Sequence, residues 1–378
     1  MRSDLATRLR SHVEYLASPE LSGRKPGTPG HRKAAAYISE GFREAGLAPL
    51  PSLGGFGQTV TKELGENLMA AREARLALNP APWILLGAHY DHLGGAFLGA
   101  DDNAAAVAIL LEIARSLPPL AHHSVLFVAF NTEEPPYIRT SLMGSQHFVD
   151  HLPPEIRSTT NLKAVIIMDL MGGVHWEPLR DAVFAAGAEK SPGLYRHVKE
   201  TATFVQHPER SPGDALSILP LGLHLVEELP YLGAMPFSDY DAFRNVGVPF
   251  LFLSAGRTPR YHQPTDLPDT LHYERMATTA SWLQELLRAI DTDSAPYDFK
   301  PDQLEFADEV ATLRPIVAKA AEWDTSIPNT SIISYWRLQR DHSWLQELDP
   351  AAASADDVKR LERISIRIQC LLADFPGC

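Results

Sequence analysis

The sequence predicts an α/β protein: a three-layer, mostly parallel but mixed sheet with helices on both faces, followed by a C-terminal helical appendage. Two observations carry this. From Trp83 onward, short apolar runs alternate with segments of helical periodicity, the texture of strands joined by crossover helices. The runs at 124–130 and 164–168 are apolar at nearly every position, as strands covered on both faces are. With 378 residues and 45% hydrophobic content, the chain can bury such a core.

Leu5, Leu9, Val13 and Leu16 fall on one helical face behind Ser3 and Asp4 as a cap. A second helix runs from Thr28 as N-cap, with Pro29 in its first turn, to Gly46 as terminator. A strand over 83–88 leads to a helix over 103–116, a strand over 124–130, a helix near 145–151 and a strand over 163–169. Residues 172–237 are rich in Pro, Gly, His and Glu with weak periodicity. They read as loops that wall a cleft over the carboxyl ends of the strands. A strand over 248–253 and a long helix from about 273 to 290 complete the sheet domain, taken as residues 1–291. The stretch 291–296 reads as a linker, and 292–378 forms a helical extension with Val358, Leu361, Ile364, Ile368 and Leu371 at helical spacing.

A net charge of -13 argues against nucleic acid, whose phosphates require clustered Lys and Arg. No window approaches a membrane span, and the first residues lack the apolar core of a secretory signal, so a cytoplasmic protein without a membrane partner is expected. The two cysteines, Cys370 and Cys378, are too few for a disulfide framework or a cysteine-rich zinc module. A metal site must therefore use His and carboxylates.

Five such offers stand at the ends of apolar runs. His89 and Asp91 follow the first strand and, two apart on an extended chain, point the same way. One can bind a metal and the other orient it, and Asp91 suits the orienting role. Asp101 and Asp102 open the next helix; one carboxylate can cap it while the other bridges two cations. Asp102, beside the helix start, is the choice for the bridge and Asp101 for a cap or solvent residue. Glu133 and Glu134 emerge from the second strand, where one can ligate metal and its neighbour act as general base. Asp169 ends a buried strand and needs a partner such as a metal. His262, unremarkable alone, gains meaning from this company.

Taken together, His89-x-Asp91, Gly99-Ala100-Asp101-Asp102-Asn103, Glu133-Glu134 followed by Gly144-Ser145, Asp169 and Tyr261-His262 resemble the co-catalytic zinc aminopeptidases, the family of bacterial leucyl aminopeptidases and glutamate carboxypeptidase. The resemblance runs from roughly residue 10 to 290 and takes in Leu16 to Arg24, Gly27 to Gly30 and Ser238-Asp239-Tyr240. It implies two zinc ions, one held by His89 and Asp169 and the other by Glu134 and His262, with Asp102 bridging, Glu133 as general base and Asp91 orienting His89. The implied activity is removal of N-terminal residues from peptides by a zinc-activated water. Two departures stand out. The stretch 135–143 is longer than in common aminopeptidases and is similar to the loop of glutaminyl cyclases, acyltransferases that use a single zinc; Tyr240 stands where many relatives have His. A cyclase-like enzyme with one zinc is the alternative reading, and a non-catalytic binding protein of the same fold the third.

Overall fold

The computed structural model describes residues 2–76, 82–205, 216–229, 233–323, 327 and 330–373; Cys378 lies outside them. Helices α1 (Arg2–Leu16) and α2 (Pro29–Glu44) open the chain. Leu9, Val13 and Leu16 are buried, as their spacing requires. Helix α1 already includes Arg2, so Ser3 and Asp4 lie inside its first turn instead of capping it; Asp4 there suits the positive end of the helix dipole. Helix α2 begins as predicted, with the Thr28 hydroxyl accepting the His31 N–H at 3.3 Å.

Strands β1 (Gly57–Thr61) and β2 (Gly65–Arg72) precede β3 (Trp83–His89). Then come α3 (Ala106–Ser116), β4 (Ser124–Phe130), α4 (Gly144–Asp150) and β5 (Leu162–Met168). Among its described residues, segment 172–237 includes regular elements where loops were expected. It contains β6 (Ala182–Ala186), α5 (Pro192–Val205), β7 (Ser217–Pro220), α6 (Leu223–Glu227) and a ribbon of β8 (Glu228–Leu229) with β9 (Gly233–Ala234). Helix α7 (Tyr240–Asn245), strand β10 (Phe250–Ser254) and helix α8 (Tyr273–Thr292) follow. Because α8 reaches Thr292, the expected linker starts later. Asp291 in its last turn accepts the N–H groups of Ala121, His122 and His123, each at 2.8 Å. Helices α9 (Phe306–Ala321), α10 (Ile332–Glu347) and α11 (Ala355–Leu372) form the extension.

The eight-stranded sheet runs β1-β2-β4-β3-β5-β10-β6-β7. Its centre, β4-β3-β5-β10, is parallel, while β1, β2 and β6 pair antiparallel to their inner neighbours, which makes the sheet mixed as predicted. Side chains alternate between faces. Ile84 and Leu86 of β3 with Phe127 of β4 join α1, α2, α3 and α8 in one core; Leu85 of β3 with Leu126 and Phe130 of β4 join α4 and α7 in a second. A third core mixes Trp176, Leu179, Leu221 and Leu225 with Leu313, Leu338, Leu361 and Ile368, so the extension shares its interior with segment 172–237.

Candidate metal centre

Parallel pairing of β3 with both β4 and β5 sets three strand carboxyl ends side by side. His89 is the last residue of β3, Asp169 follows β5, and Glu133 and Glu134 lie in the loop after β4. That loop is held from several sides. Asn131 takes a hydrogen bond from His31 Nε2 at 2.8 Å, and its own N–H donates to Asn67 at 3.0 Å. The Thr132 hydroxyl donates to the Leu142 carbonyl at 2.6 Å. Gly144 is required at the start of α4, since a Cβ there would fall 2.2 Å from the Asn131 carbonyl oxygen.

All five predicted ligands converge. His89 Nε2 lies 3.3 Å from Asp102 Oδ1 and 3.6 Å from Asp169 Oδ1. On the other side, His262 Nε2 lies 3.2 Å from Asp102 Oδ2 and 3.0 Å from Glu134 Oε2. Two atoms bound to one zinc at about 2.0–2.2 Å in a tetrahedron are about 3.3–3.6 Å apart, which these separations approach. His89 Nε2, Asp102 Oδ2, Asp169 Oδ1 and His262 Nε2 are buried without a hydrogen-bond partner. Such atoms are costly unless something satisfies them. The donor set therefore fits two cations that share Asp102.

The electrostatics agree. Burial would favour a neutral Asp102, but the close approach of His262 and His89 outweighs it and holds the carboxylate well below its ordinary pKa. Burial lowers His262, yet Asp102 and Glu134 bring it up to about 9. Burial likewise disfavours charge on His89, and Glu133, Asp102 and Asp169 reverse this and raise it. Burial raises Glu133 well above its usual value, with Asp169 and Glu134 adding to it.

The Asp91 carboxylate lies on the Nδ1 side of the His89 ring and adds to the rise of the ring's pKa. Its Oδ1 is 3.7 Å from His89 Nδ1, whose nearer acceptor is the Asp91 carbonyl at 3.2 Å. The carboxylate also accepts the N–H groups of Glu133 and Glu134 at 3.1 and 3.3 Å. Asp101 is neither a solvent residue nor a cap: it is buried and accepts the N–H groups of Gly172 and Gly173 at 2.7 and 2.9 Å. Burial and neighbouring Asp266 push it up to about 7. Asp102 and Asn103 have non-helical backbone angles, so α3 starts only at Ala106, and Asp266 accepts the Asp101 and Asp102 N–H groups.

Several contributors were not anticipated. His92 donates from Nδ1 to Glu134 Oε1 at 2.6 Å, too close for both atoms to bind one metal, so it steadies Glu134. Arg24 is buried and donates to the carbonyls of Tyr90, Leu16, Leu98 and Gly99 at 2.6 to 2.9 Å. Burial lowers it to about 10 despite Asp102 and Asp266 nearby, and it puts a fixed positive charge behind the acidic cluster. Ser238 donates to Asp169 Oδ2 at 3.0 Å. Tyr240 lies in the core and donates to Glu227 at 2.6 Å. The Tyr261 ring stacks on His262 with centroids 3.8 Å apart, and Arg257 lies over Tyr261 at 4.3 Å.

Fold and donor set define a class, an α/β protein that gathers histidines and carboxylates for metal ions at the carboxyl edge of its parallel strands. Within that class, the chain belongs to peptidase family M28, whose sequence model matches residues 67–287. It is 25% identical over 306 residues to the Escherichia coli K12 protein YfbL, covering 74% of this chain and 86% of YfbL. It is 30% identical over 165 residues to aminopeptidase YwaD of Bacillus subtilis, a match to 42% of this chain and 32% of YwaD. In fold it is similar to BSAP, a zinc aminopeptidase from Bacillus subtilis, with a TM-score of 0.58 at 15% identity over 79% of this chain and 98% of that one. The glutaminyl cyclase of Porphyromonas gingivalis is similar at a TM-score of 0.54 and 20% identity, over 76% and 97% of the two chains.

Proposed function

We propose that the protein is a zinc-dependent aminopeptidase that removes N-terminal residues from peptides with two zinc ions per chain. The observation that carries this reading is Asp102, which turns Oδ1 toward His89 and Oδ2 toward His262. His89 and Asp169 would hold one ion, Glu134 and His262 the other. Zinc bound there would supply Lewis acidity and bring the pKa of a water down to about 7. Glu133, whose Oε2 is 3.7 Å from His89 Nε2, takes the proton of the attacking water and returns it to the leaving amine. Asp91 fixes the backbone of Glu133 and Glu134, His92 the carboxylate of Glu134 and Ser238 that of Asp169, so the reacting groups are positioned before substrate arrives.

The longer stretch 135–143 favours a second reading, a cyclase-like acyltransferase with one zinc. Elemental analysis of protein purified without chelator separates the two when paired with aminoacyl-nitroanilide release and a glutamine-peptide cyclisation assay. Two zincs with nitroanilide release support the aminopeptidase. One zinc with cyclised product replaces it.

A further inference from the structure

Beside the metal centre lies a second cavity of about 360 Å³, bordered where it meets the centre by Asp169 and Tyr261. Its walls are mostly apolar and come from two parts of the chain. Leu179, Phe184 and Leu221 belong to segment 172–237, while Leu313, Ile316 and Ile366 belong to α9 and α11 of the extension. These helices are fastened at the cavity. The Ser365 hydroxyl and the Gln369 amide both donate to the Leu225 carbonyl at 2.8 Å, and Thr312 donates to the Pro220 carbonyl at 2.6 Å. His224 joins Glu309 and Glu362 at 3.0 and 2.8 Å.

A cavity of this kind is not a packing defect. Interiors are close-packed and tolerate few voids larger than a water. An apolar void of about 150 Å³ stays dry and takes up benzene, and this one is more than twice that size. Water gains little against such walls, since it needs two or more polar partners. Among the polar groups at its margin are Glu227, Arg257 and His175, and burial holds His175 neutral with a pKa of about 4. The space suits an uncharged group larger than one phenyl ring.

We propose that the C-terminal helices complete a substrate pocket beside Asp169 that takes a large apolar group, a two-ring aromatic or long aliphatic side chain, next to the scissile bond. This rests on the peptidase reading above. The extension then sets specificity, with Ile316 and Ile366 as the residues that limit the pocket.

The test uses the full-length zinc-loaded protein, a nitroanilide series of alanine, leucine, phenylalanine and 2-naphthylalanine, and the apolar fluorophore N-phenyl-1-naphthylamine. Wild type should show kcat/KM rising along the series and saturable fluorophore binding that the naphthylalanine amide displaces. In Ile316→Trp the naphthylalanine-to-alanine ratio of kcat/KM should fall about 10-fold or more, a loss in keeping with what an apolar pocket discriminates. Ile316→Ala, which only enlarges the space, should keep that ratio or raise it. Thermal melting confirms that both variants fold. Ratios unchanged in both folded variants, or a wild type that prefers alanine and binds no fluorophore, overturn the pocket while leaving the peptidase intact. Fluorophore binding that Ile316→Trp abolishes, in a protein that cleaves none of the amides, would uphold the apolar site and overturn the peptidase reading instead.

Discussion

Glu133 and His92 sit within a few ångströms of each other's partners yet should fail differently when replaced. Glu133→Gln removes only the proton carrier, so turnover should drop by about 10²- to 10⁴-fold with zinc content per chain unchanged. A zinc-loaded variant with near-wild-type kcat would sink the assignment. His92→Ala releases the Glu134 carboxylate from its 2.6 Å hydrogen bond and should weaken zinc by about 10- to 100-fold, measured by competition with a chromophoric chelator. Unchanged affinity would show that Glu134 is held without it. His89, Glu134 and Asp169 were legible because each stands at or near the end of an apolar run, and Asp102 and His262 because of the company these make. His92 was not, since its meaning is a partner 42 residues away. Asp266 reaches Asp102 across 164 residues and Arg24 reaches Gly99 across 75, and nothing local announces either contact. Strand periodicity puts the Asp91 carboxylate on the side of His89 but likewise does not announce the Glu133 and Glu134 N–H groups it also accepts.

Helix α3 is tied to α1 through Glu112, which is buried in full at the side chain and meets Arg8, His12 and Arg115. Burial opposes its charge, but hydrogen bonds from His12, Arg115 and Arg8 prevail and lower it from 4.5 to about 2. Because the folded pKa lies below the unfolded one, this stabilisation is complete above pH about 4.5 and disappears as pH falls toward about 2. Wild type and Glu112→Gln should therefore differ in urea midpoint at pH 7, with the gap narrowing below pH about 4.5 and closing only near pH 2; a gap that stays the same from pH 7 to pH 2 would exclude the linkage. At α2, Thr28→Ala should cost about 1 kcal/mol, read from the same denaturation curves. Elements of the central sheet could be read directly, since both-face burial writes an unbroken apolar run, as in β4. Strands β6 and β7 have only five and four residues, too short for any period to emerge. The four-residue-spaced Leu194, Val198 and Ala202 of α5 did carry a helical signal, obscured by the Pro- and Gly-rich sequence around it. Strands β1 and β2 pair as a hairpin, and the β2 run is broken by Glu66 and Asn67.

The molecule as a whole gathers Asp91, Asp101, Asp102, Glu133, Glu134, Asp169, Asp239 and Asp266 in its interior, a concentration of carboxylates that divalent cations would relieve. Stripping zinc with a chelator should lower the melting temperature, because an ion present at 100 times its Kd stabilises the fold by about 2.7 kcal/mol. An unaltered melting curve after verified metal loss would contradict this. The sheet order was not readable in the sequence, since it depends on crossovers that no local pattern encodes. The shared third core has a consequence for synthesis. A ribosome delivers Trp176, Leu221 and Leu225 long before Leu313, Leu361 and Ile368, the residues that cover them. Until the last helices leave the exit tunnel, the β6–β7 end of the sheet lacks its cover, and a growing chain with an open strand edge invites association with its neighbours on the same message.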